Sequence, residues 1–285
     1  MAARPRTLPA AIAPVLVGTS LAVRVGQFHA LRFVAALLGA MLIQIGTNLS
    51  NDYSDARRGA DADDRLGPVR VTAGGLVPPR RVLVATYATF ALAILVGAYL
   101  IAVAGWVLLA VGGASILAGV LYTGGPRPYG YEGLGEVFVF LFFGIVAVTG
   151  SYFVQRRDLP WEAFVLAVPV GLLISGILVV NNVRDIESDR RAGKQTLAVR
   201  LGRRAARRLF VAMLVAAFAS GLVCWVWGPL SPWLALTMLA APLAASVART
   251  VLTHADGPSL NVALARSGVL ALVYCLLLSA GVLAS

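Results

Sequence analysis

Two stretches of this 285-residue chain carry carboxylates at helical spacing beside a side-chain amide. In the first, Asn48, Asp52 and Asp55 stand four and three residues apart; in the second, Asn182, Asp185 and Asp189 stand three and four apart. On an α-helix these intervals put each set on one face, a turn apart. Carboxylates stacked in this way repel one another unless cations lie between them. Hard oxygen donors in that arrangement suit Mg²⁺, which keeps several waters and completes its shell with substrate phosphates. Two such faces opposed would hold ions around one diphosphate, with nearby arginines and Lys194 neutralising the remaining oxygens. His29 and His254, the two histidines, form no ligand-like pair, which argues against zinc or iron.

The first set opens a charged stretch, Asn48 to Arg81. It gathers five of the chain's 13 acids (Asp52, Asp55, Asp61, Asp63, Asp64) and six arginines (Arg57, Arg58, Arg65, Arg70, Arg80, Arg81). A solvated loop is the plain alternative for both stretches. A plain loop does not need the same amide-plus-two-acids device twice, each at the end of an apolar run.

Those runs are the elements that must position the acids. With 59% hydrophobic and 13% charged residues, the composition lies outside soluble globular usage. The reading is a single all-α polytopic membrane domain over residues 1–285, without the ten-residue alternation of a β-barrel. Nine transmembrane helices are expected at roughly 7–24, 32–51, 81–103, 106–123, 135–154, 161–183, 206–227, 232–252 and 263–284. The net charge of +11 follows the membrane rather than nucleic acid, because the basic residues lie between spans. Of 24 basic residues, 20 fall on the side of the N-terminus; Arg24, Arg32, Arg156 and Arg157 fall on the other. That bias predicts a cytoplasmic N-terminus with both charged stretches and the loop Tyr122–Glu136 on the same side. The first span is read as retained rather than as a cleaved signal. Cys224 and Cys275 sit in apolar segments as packing residues.

Asn51-Asp-Tyr-Ser-Asp55 with Asp61, and Asp185-Ile-Glu-Ser-Asp189, resemble the two aspartate-rich motifs of the UbiA superfamily of intramembrane prenyltransferases. Further stretches are similar to its 1,4-dihydroxy-2-naphthoate polyprenyltransferase branch, which serves menaquinone biosynthesis. They are Arg4-Pro-Arg-Thr-Leu-Pro, Gly67-Pro with Arg70, Tyr122-Thr-Gly-Gly-Pro, Gly133-Leu-Gly-Glu136, and Asn181-Asn-Val-Arg-Asp through Gly202. There are departures. The superfamily often has a further aspartate four residues beyond the second acid of the first motif, where this chain has Gly59. It often has a lysine four residues beyond a loop tyrosine; four beyond Tyr122 is Pro126, followed by Arg127.

The resemblance implies Mg²⁺-dependent transfer of a polyprenyl chain from its diphosphate to an aromatic acid in a bacterial cell membrane. Asp52, Asp55, Asp185 and Asp189 would be catalytic, and they and Asp61 would hold metal. Arg57, Arg65, Arg70, Arg127 and Lys194 are the diphosphate-binding candidates, with Arg184 as a further supporting cation. Asn48, Asn51, Tyr122, Asn182 and Arg6 are the substrate-binding candidates. Glu136 is expected either beside an arginine or as a helix N-terminal charge. Gly112, Gly113, Gly119, Gly144 and Gly150 suit close helix packing, or else an opening for a lipid tail. The rivals are another acceptor, such as 4-hydroxybenzoate, and a cation-coupled transporter. The transporter reading is disfavoured because the apolar runs are nearly free of charge between their ends.

Overall fold

The computed structural model describes residues 4–59, 66–67, 70–226 and 231–285; the side chains of Arg6 and of 224–226 are not described. Its helices are α1 (Leu8–Arg24), α2 (Ala30–Arg57), α3 (Pro79–Ala104), α4 (Val107–Leu121) and α5 (Gly135–Arg156). They continue with α6 (Trp161–Arg191), α7 (Leu197–Val226), α8 (Pro232–Thr253) and α9 (Gly257–Leu283). Among the described residues, seven are long and apolar enough to cross a membrane. The expected spans 7–24 and 106–123 are the two shorter apolar helices, α1 with 17 residues and α4 with 15. Proline and glycine set their limits. Pro5 starts a short 3-10 turn ahead of α1, and α4 begins just after Gly105, whose φ of 113° ends α3.

α6 is the axis of the bundle. Its residues Leu166, Val170, Ile174 and Val180 are buried among Val17 of α1, Phe210 of α7, and Leu270 and Tyr274 of α9. Backbones approach closely where side chains vanish: a Cβ on Gly144 of α5 would lie 2.6 Å from Gly171 Cα on α6. Beside that contact, Phe140–Val146 forms a π-helical stretch. Such insertions re-aim side chains and often mark functional sites. Here they turn Phe142, Phe143 and Val146 toward a large cavity.

The helices extend past the apolar runs that announced them. α2 continues to Arg57 and α6 to Arg191, so Asp52, Asp55, Asp185 and Asp189 all stand on helix rather than on loop. Charge separates between the two ends of the bundle. At one end Arg32 donates to the carbonyls of Val154 and Gln155, and Arg157 to that of Val103. The aspartate clusters occupy the other.

Candidate active site

The first acid set lies on one face of α2, where Gln44, Asn48, Asn51, Asp52 and Asp55 are all buried. Their partners come from several segments. Asp52, 1% exposed, accepts the backbone N–H of Val71 at 3.2 Å and of Thr72 at 3.0 Å, pinning the segment after the first charged loop against α2. Asp55, also 1% exposed, is the hub. It accepts from Arg70 Nη2 at 2.9 Å and Tyr131 Oη at 2.6 Å, and Lys194 Nζ lies 3.5 Å away. Asn51 Oδ1 accepts from Thr123 Oγ1 at 2.9 Å, and Asn48 Nδ2 donates to Thr7 Oγ1 at 3.0 Å. Four chain segments distant in sequence, at Thr7, Arg70–Thr72, Thr123–Tyr131 and Lys194, thus close over one helix face.

The second set, on α6, faces the same cavity. Arg184 grips Asp185 through Nε to Oδ1 at 2.8 Å and Nη2 to Oδ2 at 2.6 Å. Its other donors reach Asn181 Oδ1 at 2.9 Å and Asn261 Oδ1 at 2.7 Å, and Asn261 in turn donates to the Leu66 carbonyl. Arg184 as a whole is 2% exposed. A charge so buried persists only when fully paired. Asn182 Nδ2 donates to Glu136 Oε1 at 2.9 Å. Glu136 therefore partners an amide, not an arginine. Because that amide's N–H group is committed to Glu136, the Asn182 carbonyl oxygen is left to face elsewhere, and Asn182 lines the cavity.

The cavity, about 1210 Å³, joins both sets to an apolar shaft between α2, α3, α4 and α5. Its polar end holds four aspartates (Asp52, Asp55, Asp185, Asp189) with Arg70, Arg184 and Lys194. Its far end is lined by Ile94, Ile101, Leu108, Ile116 and Phe142. Gly97, Gly112, Gly113 and Gly150 line it too, and a Cβ on any of them would meet nothing within 4 Å. The glycines thus divide. Gly119, against Thr47, and Gly144 serve close packing, whereas Gly112, Gly113 and Gly150 keep the shaft wide.

The expected cations are brought together only in part. Arg70 and Lys194 are at the hub. Arg57 is exposed, 6.0 Å from the Tyr53 ring, and Arg127 is exposed, 3.8 Å from Glu132; neither lines the cavity. Asp61 and Arg65 lie outside the described residues, as does the side chain of Arg6. Tyr122 lines the cavity, edge-on to Tyr129 at 5.4 Å. Burial pushes the Tyr129 phenol up, so it stays a neutral donor to the Ala118 carbonyl. Tyr131 and Asn261 went unread in the sequence. Tyr131 fell within a quoted loop stretch, but its role depends on the Lys194 ammonium 4.6 Å above its ring and on the backbone bond from Gln195 N to its carbonyl. Asn261 is a lone amide on a distant helix, with no spacing signal at all.

The donor set fits a divalent cation of the hard class. Among the described residues no three acids converge as a ready-made cage. Mg²⁺ seldom uses one, being held by one or two carboxylates plus substrate phosphates. Each paired carboxylate here retains lone pairs beyond its present partners.

Residues 11–270 match the UbiA prenyltransferase family. A 1,4-dihydroxy-2-naphthoate octaprenyltransferase of Mycobacterium tuberculosis is 44% identical over 96% of this chain and 92% of its own length. That of Escherichia coli (strain K12) is 41% identical over 99% and 94%. In fold the chain is similar to a UbiA homolog from Aeropyrum pernix K1, with a TM-score of 0.73, 17% identity, and 99% and 98% of the two chains covered. A UbiA homolog from Archaeoglobus fulgidus, solved bound to GPP and Mg²⁺, gives a TM-score of 0.68 at 15% identity, covering 99% and 98%. On its motifs, its fold and its relatives, this chain belongs to the UbiA prenyltransferase family, enzymes that transfer prenyl groups.

Proposed function

We propose that the chain transfers a polyprenyl group from its diphosphate to 1,4-dihydroxy-2-naphthoate, releasing diphosphate and CO₂ and forming demethylmenaquinol. The observation that carries this reading is the continuity of one cavity from a floor of aspartates and cations to an apolar shaft. That combination matches a diphosphate head with a long hydrocarbon tail. A volume of about 1210 Å³ exceeds the roughly 300–1,000 Å³ usual for a drug-sized ligand. The choice of acceptor rests on the names of relatives that cover nearly the whole chain. The membrane placement belongs to the same proposal: one domain over 1–285, nine crossings counting α1 and α4, N-terminus and aspartate end in the cytoplasm of a bacterial cell.

Cleaving the allylic C–O bond puts negative charge on the departing diphosphate. Lys194 and Arg70 at the hub neutralise its oxygens, and Asp52, Asp55, Asp185 and Asp189 would hold Mg²⁺ against them, with Asn51 and Asn48 flanking. When bound, that ion supplies Lewis-acid stabilisation of the leaving group. Charges held ready in a closed site act where charge develops, without reorganising. The apolar shaft keeps water from the allylic cation. The cation then meets the ring carbon bearing the carboxylate: a new C–C bond forms there, the carboxylate leaves as CO₂, and its electron pair restores the aromatic ring. Asn182 presents its carbonyl oxygen to a ring hydroxyl of the acceptor, and Tyr122 closes the opposite wall.

Purified protein in vesicles, given Mg²⁺, a polyprenyl diphosphate and a panel of acceptors, tests the whole reading. Prenylated dihydroxynaphthoate is the expected product. Product from 4-hydroxybenzoate and none from dihydroxynaphthoate would overturn it.

Two residue-level outcomes follow. In Glu136→Gln the amide of Asn182 loses its fixed anionic acceptor, and a hydrogen bond to a charged group contributes about 1.5–3 kcal/mol. The expected result is a rise of about tenfold or more in KM for the acceptor, with KM for the prenyl donor unchanged. Gly113→Leu places a side chain in the open shaft. Transfer from octaprenyl diphosphate should fall steeply while transfer from geranyl diphosphate persists. Equal losses with both donors would remove Gly113 from the tail path.

A further inference from the structure

A second polar site lies outside the catalytic cavity. α7 leaves helical angles at Gly202 (φ 77°, ψ 159°) and resumes at Arg203. The resumed helix opens Arg203-Arg204-Ala205-Ala206-Arg207-Arg208. It therefore carries like-charge pairs at i,i+4 (203 with 207, 204 with 208), at the end where the helix dipole already disfavours cations. Some of this is offset locally. Arg203 donates to the Val183 carbonyl at 2.9 Å and lies 3.7 Å from Glu187, and Arg207 donates to the His254 carbonyl. Arg204 and Arg208 are exposed and make no ion pair among the described residues, and Arg207 Nε is buried without a hydrogen-bond partner there.

These four arginines and Leu252 line one groove of about 320 Å³, and none of them lines the catalytic cavity. The bond from Arg203 to Val183 sets the groove level with Asp185, at the polar end of the bundle. One helix face below Arg204 and Arg208 the surface turns apolar, with Val215 exposed. A general positive bias puts basic residues at this end, but it does not require four to converge on one groove.

We propose that this groove binds an anionic phospholipid, its phosphodiester held by the arginines and an acyl chain lying along Leu252 and Val215. Anionic headgroups occupy that depth of the membrane, and guanidinium forks match phosphate oxygens in bidentate fashion. A choline headgroup would set its ammonium against the same arginines, so the groove selects an uncharged-alcohol headgroup such as that of phosphatidylglycerol.

Native mass spectrometry of the full chain, released from micelles holding equal phosphatidylglycerol and phosphatidylcholine, tests this. Wild-type protein should retain phosphatidylglycerol in excess. Arg204→Gln and Arg208→Gln should each cut that excess about fivefold, the attraction of one basic side chain to an anionic surface, with prenyl transfer unchanged. Both positions are exposed, so the unfolding midpoint should not move; if the double variant folds poorly, each single variant gives the same reading. Equal retention of the two lipids by wild type, or an excess that survives both substitutions, would overturn the proposal. Displacement of the lipid by millimolar inorganic phosphate would overturn it too, as it would mark a site for free anions.

Discussion

Asp52→Ala and Asp185→Ala should each lower turnover by at least about 10²–10³-fold, the loss expected when one preorganised charge contact to a leaving group is removed. Both acids are buried at the polar end of the cavity, and both also hold structure. Asp52 fixes the backbone of Val71 and Thr72, and Asp185 neutralises Arg184. The informative comparison is therefore with Asp52→Asn and Asp185→Asn, which keep the volume and an acceptor oxygen. The asparagine variants should insert and unfold much like wild type, yet lose the added stability that Mg²⁺ with a non-reactive prenyl diphosphate analogue confers through binding. Near-normal turnover in either alanine variant would sink the two-cluster model. Normal ligand-induced stabilisation in the asparagine variants would assign these acids to scaffolding alone.

The second large effect is on stability. Arg184→Leu strips a buried guanidinium and leaves Asp185 and the amide oxygens of Asn181 and Asn261 without their donor. Breaking a buried pair by removing one member costs about 3–5 kcal/mol, which for a chain of this size lowers the unfolding midpoint by on the order of 10 °C. The double variant Arg184→Leu with Asp185→Leu removes both charges together and should recover most of that loss, because an apolar pair of similar volume incurs no desolvation penalty. It should nevertheless stay inactive. A single variant as stable as wild type would show that Arg184 is hydrated in the membrane-embedded protein, and that the network through Asn261 contributes little.

Much of the architecture was legible in the sequence for direct physical reasons. Hydrocarbon thickness dictates the length of apolar runs, so the helices announced themselves, and the four-and-three spacing of Asn48, Asp52 and Asp55 told which side chains share a face. Repetition of that device at Asn182, Asp185 and Asp189 pointed to two facing halves. The helix ends were less legible. The expected spans 32–51 and 161–183 stop short of the acids, whereas α2 runs on to Arg57 and α6 to Arg191, with Asp55 meeting Arg70 and Tyr131 and Asp185 meeting Arg184.

Choosing among the cations required the tertiary structure. Arg57, Arg70, Arg127 and Lys194 are equivalent in a string of letters. In space, Arg70 and Lys194 converge on Asp55, while Arg57 and Arg127 turn outward to Tyr53 and Glu132. The Glu136–Asn182 bond, the Tyr131 hub contact and the reach of Asn261 from α9 likewise join positions with no fixed sequence separation. The glycines make the same point: Gly113 and Gly144 look alike in sequence, yet one lines open space and the other a helix backbone. Periodicity and composition determined which residues lie on which face of which helix. Which faces meet, and which charges are buried when they do, was decided by packing between elements far apart in the chain, because the energy of a buried charge depends on partners that local spacing does not encode.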